Sequence, residues 1–525
     1  MISATKQAQK IDDLQAENIL LSAQIKELSA QLKWFKNQLF GTKSERRIND
    51  SSEQQLFLGQ QFSDAEKVDS KETQTIPEHK RKKRKKVAAD GDGQELFFDE
   101  NLVPVEEIKI ENPEIKGLSE DEYEVVSTKI THHLAQRPGA YVILKYSRDV
   151  VKIKNTDKNA TKLICVPAPV SVFEKSRADA SFLAGLLIDK FKYHLPLYRQ
   201  HQRLKASGID VSRPWLTQLV HLCGNLLEPI YEALLDSIRE SRVKLLDETP
   251  VKAGRKEKGK MQKAYYWPVM GELDEIAFVY FPSREHHHVF EILGSNPKEG
   301  EVLVTDGYGA YKAYAEKTGC LNAQCWSHTR REFIKAEDLE PQKTKTALDM
   351  IRKLYVVEDE IKSQKLKGKA KRCYRLKHSK PLVEVFFEWV ESERESGALL
   401  PSNRLSKALN YAHNRRLGLE IFLNDPDVPL DTNEMERALR VIPMGRKNWL
   451  FNWTEIGAKY VGIFQSLIVT CQMHGIDPYT YLVDVLQRLA DHPAKDIKML
   501  IPRLWKIHFA ANPMRSDLDL ISRDR

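Results

Sequence analysis

Hydrophobic and polar positions change their spacing several times along the chain, and each change predicts a new kind of element. Between residues 11 and 35, Ile11, Asn18, Ile25 and Leu32 fill one seam position of a heptad, and Leu14, Leu21, Leu28 and Phe35 fill the other. This spacing predicts a coiled coil of about four heptads. β-branched Ile on one seam with Leu on the other favours two parallel strands, and a polar Asn18 costs stability but fixes register, so a homodimer, or a higher oligomer built on it, is expected. From 46 to 100 the periodicity is lost. The cations Lys80, Arg81, Lys82, Lys83, Arg84, Lys85 and Lys86 follow one another without a break. Such a run cannot pack, and reads as a disordered basic linker that touches nucleic-acid phosphates.

Period-two patterning returns over 101–175, with YVILKY at 141–146 and DVVKIK at 149–154 as two strands of a small β module separated by a polar turn. Residues 176–241 are helical. A helix over 197–205, a turn at Ala206-Ser207-Gly208 and a second helix N-capped by Ser212 and carrying Arg213 resemble a helix-turn-helix, as any helical hairpin with Gly in its turn does. A short apolar strand, 243–246, then ends in Asp247, with Pro250 expected to stop the ladder. Strands at 264–270 and 275–281 continue an antiparallel meander. A fourth strand at 301–305 ends in a second acid, Asp306. A long helical stretch, 333–424, separates these from a helix over 433–440 that holds Glu434 and Glu436, and a helical tail follows from 481 to 525. The whole reads as a multidomain α+β chain of 525 residues.

Composition narrows the partners. Lys and Arg exceed Asp and Glu by 82 to 74, a basic excess that permits double-stranded DNA without requiring it. No apolar run approaches the ~18 residues of a spanning helix, so a soluble, cytoplasmic protein with no membrane partner is expected. Six scattered cysteines form no Cys-x-x-Cys pair and predict neither a disulfide framework nor a zinc ribbon.

The chemistry is carried by acids at the ends of elements. Asp247 and Asp306, each closing a strand of one sheet, share a rim if those strands run parallel and adjacent; taken singly, each reads first as an ordinary turn or helix cap. Carboxylates converging from two strands and a helix suit Mg²⁺ or Mn²⁺, and two such ions roughly 3.5 to 4 Å apart serve in-line phosphodiester displacement. Glu434 and Glu436 cannot both face one site, and the pattern alone does not choose between them. Cations interleaved with an aromatic, Arg446, Lys447 and Trp449, suit phosphate and base contact. Lys256 and Lys260 belong to a basic loop expected between the first two strands, near Asp247. His286, His287 and His288 point in different directions on a helix, with no carboxylate pair spaced to join them, and are assigned to the surface or to phosphate contact. Cys325 and His328 lack an orienting third group for nucleophilic catalysis.

Several longer segments carry a resemblance: QLFGTKSER at 38–46, HLPLYRQ at 194–200, LDETP at 246–250, TDGY at 305–308, CWSHTRR at 325–331, DTNEMERALR at 431–440, GRKNWLF at 445–451, HGIDP at 474–478 and DHP at 491–493. Together they resemble the transposases of the insertion sequence 66 family, nearly end to end. The resemblance implies a DDE enzyme on a ribonuclease-H-like α/β catalytic domain with a long helical insertion, and makes Asp247, Asp306 and Glu436 both catalytic triad and ligands of two Mg²⁺ or Mn²⁺ ions. It implies cleavage at transposon ends, joining of the 3'-hydroxyl to target DNA, and possible accessory proteins of the same element. The resemblance also places His328 near the active site, to contact phosphate or order a carboxylate, and DNA contact is assigned to Arg330, Arg331, Arg437 and Arg440 as well. The chain then divides into a coiled coil (1–45), linker (46–100), β module (101–175), helical DNA-binding segment (176–241), catalytic core (242–332 and 425–480), insertion (333–424) and tail (481–525). The family's β module usually carries zinc-binding cysteines, whereas 112–148 has none, so no zinc is expected. The competing reading is a catalytically inactive DNA-bridging dimer derived from a transposase.

Overall fold

The structure is a computed structural model that describes residues 96–521 apart from 117–122, 138, 154–161, 170, 258–259 and 397–399. The heptad segment and the KRKKRKK run lie outside the described residues.

A first sheet contains β1 (Val105–Ile110), β2 (Tyr123–Arg137), β3 (Ala140–Ile153) and β4 (Lys162–Cys165). β1 runs parallel to β3, and β2 and β4 pair with it antiparallel. The expected turn near 147 is absent: β3 is one strand through it. Ser147 donates to Glu107 Oε1 at 2.8 Å and Arg148 to Val166 O at 3.0 Å, so these polar side chains are satisfied without leaving the ladder. The chain reverses instead at Gly139, whose φ of 85° suits glycine. β3 is apolar on both faces. Val142, Leu144 and Tyr146 pack with Ala135 and Leu518, and Tyr141 and Ile143 join the main core. Apolar burial therefore supplies the cohesion of a module whose 112–148 stretch has no cysteine.

Helices α1 (Ala180–Phe191), α2 (Leu197–Ala206) and α3 (Arg213–Arg239) follow. Ser212 caps α3, accepting from Trp215 N at 3.3 Å. The helical pair expected from sequence is present, but α3 extends far beyond a recognition helix. Leu216, Leu219, Cys223, Leu227, Ile230, Leu234 and Ile238 recur at helical spacing and are buried in the main core. Arg213, in its first turn, is exposed.

The second sheet holds β5 (Val243–Leu246), β6 (Thr249–Glu257), β7 (Lys260–Gly271), β8 (Glu275–Phe281), β9 (Val302–Thr305) and β10 (Leu321–Gln324), with α4 (His287–Leu293) between β8 and β9 and α5 (Gly309–Thr318) between β9 and β10. Its order is β8-β7-β5-β9-β10; β5, β9 and β10 are parallel, whereas β7 and β8 complete the antiparallel meander. β6 corrects two expectations. Pro250 does not stop the ladder, and the basic segment is a hairpin rather than a loop, since β6 pairs with β7 from Thr249↔Tyr266 to Glu257↔Lys260. An edge strand tolerates a residue with no N–H.

Then come α6 (Trp326–Ile334), the insertion helices α7 (Pro341–Ser363), α8 (Gly368–Glu395), α9 (Arg404–His413) and α10 (Arg416–Asn424), and α11 (Asn433–Leu439), α12 (Val441–Trp449) and α13 (Glu455–Met473). α13 covers β8, an edge strand that would otherwise present free backbone groups. Small residues four apart allow the approach: Gly462 faces the Phe278 carbonyl, Ser466 Oγ accepts from Phe278 N at 2.8 Å, and Thr470 Oγ1 accepts from Ile276 N at 3.2 Å. A Cβ at Gly462 would stand 2.4 Å from Phe278 O. Gly462→Val is therefore expected to destabilise the fold by about 1–3 kcal/mol, read as a lowered denaturant midpoint; an unchanged midpoint would contradict this packing.

The last helices, α14 (Pro478–Arg488), α15 (Pro502–His508) and α16 (Asp517–Ile521), are packed against the rest. Buried Asp484 accepts from Arg488, from Trp505 Nε1 at 3.1 Å and from Met514 N at 2.6 Å, while Tyr146 of the first sheet donates to Asp517 at 2.6 Å. Among the described residues no helix is long and apolar enough to cross a membrane.

Candidate active site

The parallel pairing of β5 with β9 puts Leu245 beside Val304, so the residues just past each strand, Asp247 and Asp306, leave the sheet at one rim. At Asp247 the ladder is interrupted: β5 pairs with β7 up to Leu246↔Val269, and β6 resumes at Thr249↔Tyr266. Pro268 lies opposite the gap. It has no N–H to give, and its carbonyl takes only a long 3.4 Å bond from Asp247 N. The carboxylate accepts from Glu248 N at 2.7 Å.

Asp306 is held from two sides. Its side chain accepts from Tyr308 N at 2.9 Å, and its carbonyl accepts from Tyr411 of α9 at 2.6 Å. Gly307 adopts a φ of 89°, and a Cβ there would meet Arg415 Nε at 2.4 Å. Glycine is required both for the turn and for the approach of the insertion.

Glu436, far along the chain, is brought to the same place by the CWSH segment. Cys325 Sγ accepts from Thr432 N at 3.3 Å, and Trp326 N donates to Leu430 O at 3.1 Å, which fixes the segment leading into α11. Trp326 Nε1 donates to Leu419 O at 2.9 Å, tying the same motif to the insertion. Arg331 then donates to Glu436 Oε2 at 3.1 Å, and His328 Nδ1 stands 3.8 Å from Oε1. Glu434, by contrast, is exposed.

Two groups of ligand atoms result, each within 4.8 Å: Asp247, Glu248 and Asp306, and Asp247, His328 and Glu436. Asp247 belongs to both. Burial, followed by the negative charges of Glu248 and Asp306, pushes its carboxyl up to about 7, against the opposing pull of the Glu248 amide and His328. Glu248 is likewise raised, chiefly by burial, although Tyr311 donates to it at 2.6 Å and Arg284 pairs with it. These half-buried carboxylates offer hard oxygen donors of the kind that fit a divalent cation such as Mg²⁺ or Mn²⁺. Burial alone would raise the Cys325 thiol, but its bond to His328 and that ring's charge hold it below the ordinary value. The sulfur is buried and engaged with Thr432, next to the segment that leads to Glu436.

Residues 175–460 match the family described as Transposase IS66 family, residues 466–502 the IS66 C-terminal element, and residues 27–91 the Transposase C of IS166 homeodomain. The chain belongs to the IS66 transposase family. Among curated relatives, uncharacterized protein y4hP of Sinorhizobium fredii is 27% identical over 411 residues, covering 73% of this chain and 72% of the relative. Uncharacterized protein y4qI of the same organism is 30% identical over 358 residues, 65% of each chain.

Within this IS66 family chain, the residues assigned to DNA contact are distributed unevenly. Arg330, Arg331, Arg437, Arg440 and Lys447 are exposed on the helices that carry or adjoin Glu436 and His328. Arg446 is partly drawn in, donating to Pro250 O at 2.8 Å across to β6. Trp449 is half-buried against Gly445, with His194 at 5.6 Å between ring centroids and Lys190 over its ring. Arg213 lies over the Tyr198 ring at the start of α3, and Lys260 pairs with Glu257 at the tip of the β6–β7 hairpin, to which Lys256 also belongs. Sequence reasoning missed Glu248 as a site residue, although its signal, a second acid directly after the strand-ending Asp247, is local. It also missed Tyr411 and Arg415, which reach the site from a distant helix and leave no local signal.

Proposed function

We propose that this protein is a DDE transposase that cuts DNA at transposon ends and joins the freed 3'-hydroxyl to target DNA, with Asp247, Asp306 and Glu436 as the triad. The observation that carries this reading is the convergence of Asp247 with Asp306 on one side and Glu436 on the other. Mg²⁺ or Mn²⁺ bound there supplies Lewis-acid activation of the attacking oxygen and charge neutralisation at the leaving one. The chain's residues arrange this: Asp247 is common to both ligand groups, the Tyr308 amide orients Asp306, and Arg331 and Thr432 hold Glu436. The strand order β8-β7-β5-β9-β10, with acids following β5 and β9, supports a ribonuclease-H-like reading of the catalytic domain. The exposed arginines of α6 and α11 are suited to the DNA backbone beside the carboxylates. The N-terminal heptads would pair two chains, and the basic linker and the α2–α3 pair would engage the ends.

The test is incubation of the full chain with a labelled transposon-end duplex and target DNA, with and without Mg²⁺. Nicking and strand transfer are expected with Mg²⁺ only. Tight binding that leaves both strands whole in its presence would instead establish a bridging protein, and cutting without joining a nuclease.

A further inference from the structure

A second cluster of metal-ligating side chains lies apart from the triad, at the start of α4. His287 Nε2 stands 3.3 Å from Glu291 Oε1, and His288 Nδ1 stands 3.3 Å from the same oxygen. One donor atom from each of the three residues fits within 4.8 Å. Against the expectation from their spacing, the His287 and His288 rings lie together, with centroids 4.1 Å apart, and Glu291, one helical turn on at three and four residues away, closes the group between them. A tetrahedral site with metal–ligand bonds of about 2.0–2.1 Å has edges of roughly 3.3 Å. Both nitrogen–oxygen spacings match.

The outer contacts are those a ligating pair of imidazoles needs. Ser283 Oγ lies 2.7 Å from His288 Nε2, and Glu285 Oε2 lies 3.4 Å from His287 Nδ1, so each ring has its other nitrogen held by an oxygen. The His288 ring is buried and stacked on Phe281, with centroids 4.0 Å apart and planes at 18°. Its direction is set before any ion arrives.

We propose that His287, His288 and Glu291 bind a borderline transition dication of the Zn²⁺ class, with a fourth position open to water. Imidazole with one carboxylate selects such an ion over Mg²⁺. The expectation of no zinc rested on missing cysteines, and this donor set uses none. The same segment carries Arg284, which pairs with Glu248 and lies 3.9 Å over the Tyr308 ring, and His286, which stacks on Tyr308. An ion at α4 would fix the loop that presents Arg284 to the carboxylates. The site stands on its own geometry, independent of the catalytic reading.

The experiment is a Co²⁺ titration of the chelator-stripped full chain in excess Mg²⁺, which competes for the carboxylate site. A tetrahedral visible absorption band is expected, saturating at a single ion per chain. His287→Gln combined with Glu291→Gln, both at exposed positions, should lose the band and weaken binding at least about tenfold, with circular dichroism confirming the fold. Asp247→Asn should retain the band. No band in the wild-type chain, or an equal band and affinity in the double variant, would overturn the proposal.

Discussion

Replacing Asp247 or Asp306 by Asn, or Glu436 by Gln, is expected to lower metal-dependent cleavage and strand transfer by a factor on the order of 10³ or more, while end binding holds within about twofold. Groups that act as one unit lose most of their effect when any member is removed. The double variant Asp247→Asn/Glu436→Gln should therefore be little slower than either single one, and additive losses would argue against a shared centre. Binding is spared because it depends on cations meeting phosphates, and these changes remove negative charge. Glu434→Gln is the control: its exposed side chain stands outside both ligand groups, so activity should be unchanged. Retained transfer in any triad variant would reject the assignment of that residue.

The second large effect is expected far from the carboxylates. Arg375, on α8, is fully buried. Its guanidinium makes a two-pronged contact with Glu358 of α7, both bonds at 2.8 Å, and donates to Phe422 O at 2.8 Å, Asp425 O at 3.0 Å and Val428 O at 2.9 Å. These carbonyls end α10 and begin the segment that runs through Leu430 and Thr432 into α11. One side chain thus joins two insertion helices to the path that delivers Glu436. Arg375→Ala would leave Glu358 without its partner and three carbonyls without a donor, an expected loss of about 3–5 kcal/mol. Lys is a poor substitute, since a single ammonium cannot reproduce the planar fork. Denaturant unfolding should show the loss, and hydrogen exchange should show faster opening over 416–440. If exchange there is unchanged while stability falls, Arg375 supports the insertion alone and not the placement of Glu436.

What the sequence disclosed and withheld follows from how local each cause is. Strands ending at Asp247 and Asp306 are marked by short apolar runs followed by acids and turns, and the capped helix at Ser212 by its hydroxyl and the turn before it. Ser147 and Arg148 look like a turn in the local pattern, which divides β3 in two; their partners, Glu107 and Val166, are set by pairing that spacing does not reveal. The β6–β7 hairpin was hidden by Pro250, which an edge position tolerates. Glu436 was separated from Glu434 only by resemblance, and its approach to Asp247 depends on Cys325, Trp326 and Arg375 contacts that span the insertion. Adjacent side chains on a helix ordinarily point apart, which hides the histidine cluster from a local reading; here the His287 and His288 rings lie 4.1 Å apart and Glu291, one turn away, joins them.

The central claim is that Asp247 holds divalent cations in common with Asp306 and with Glu436. Crystals of the full chain soaked in Mn²⁺ and measured at its absorption edge test this directly. Anomalous peaks are expected between Asp247 and Asp306 and between Asp247 and Glu436, both vanishing in Asp247→Asn. A fully soaked crystal with no peak touching Asp247 would contradict the account.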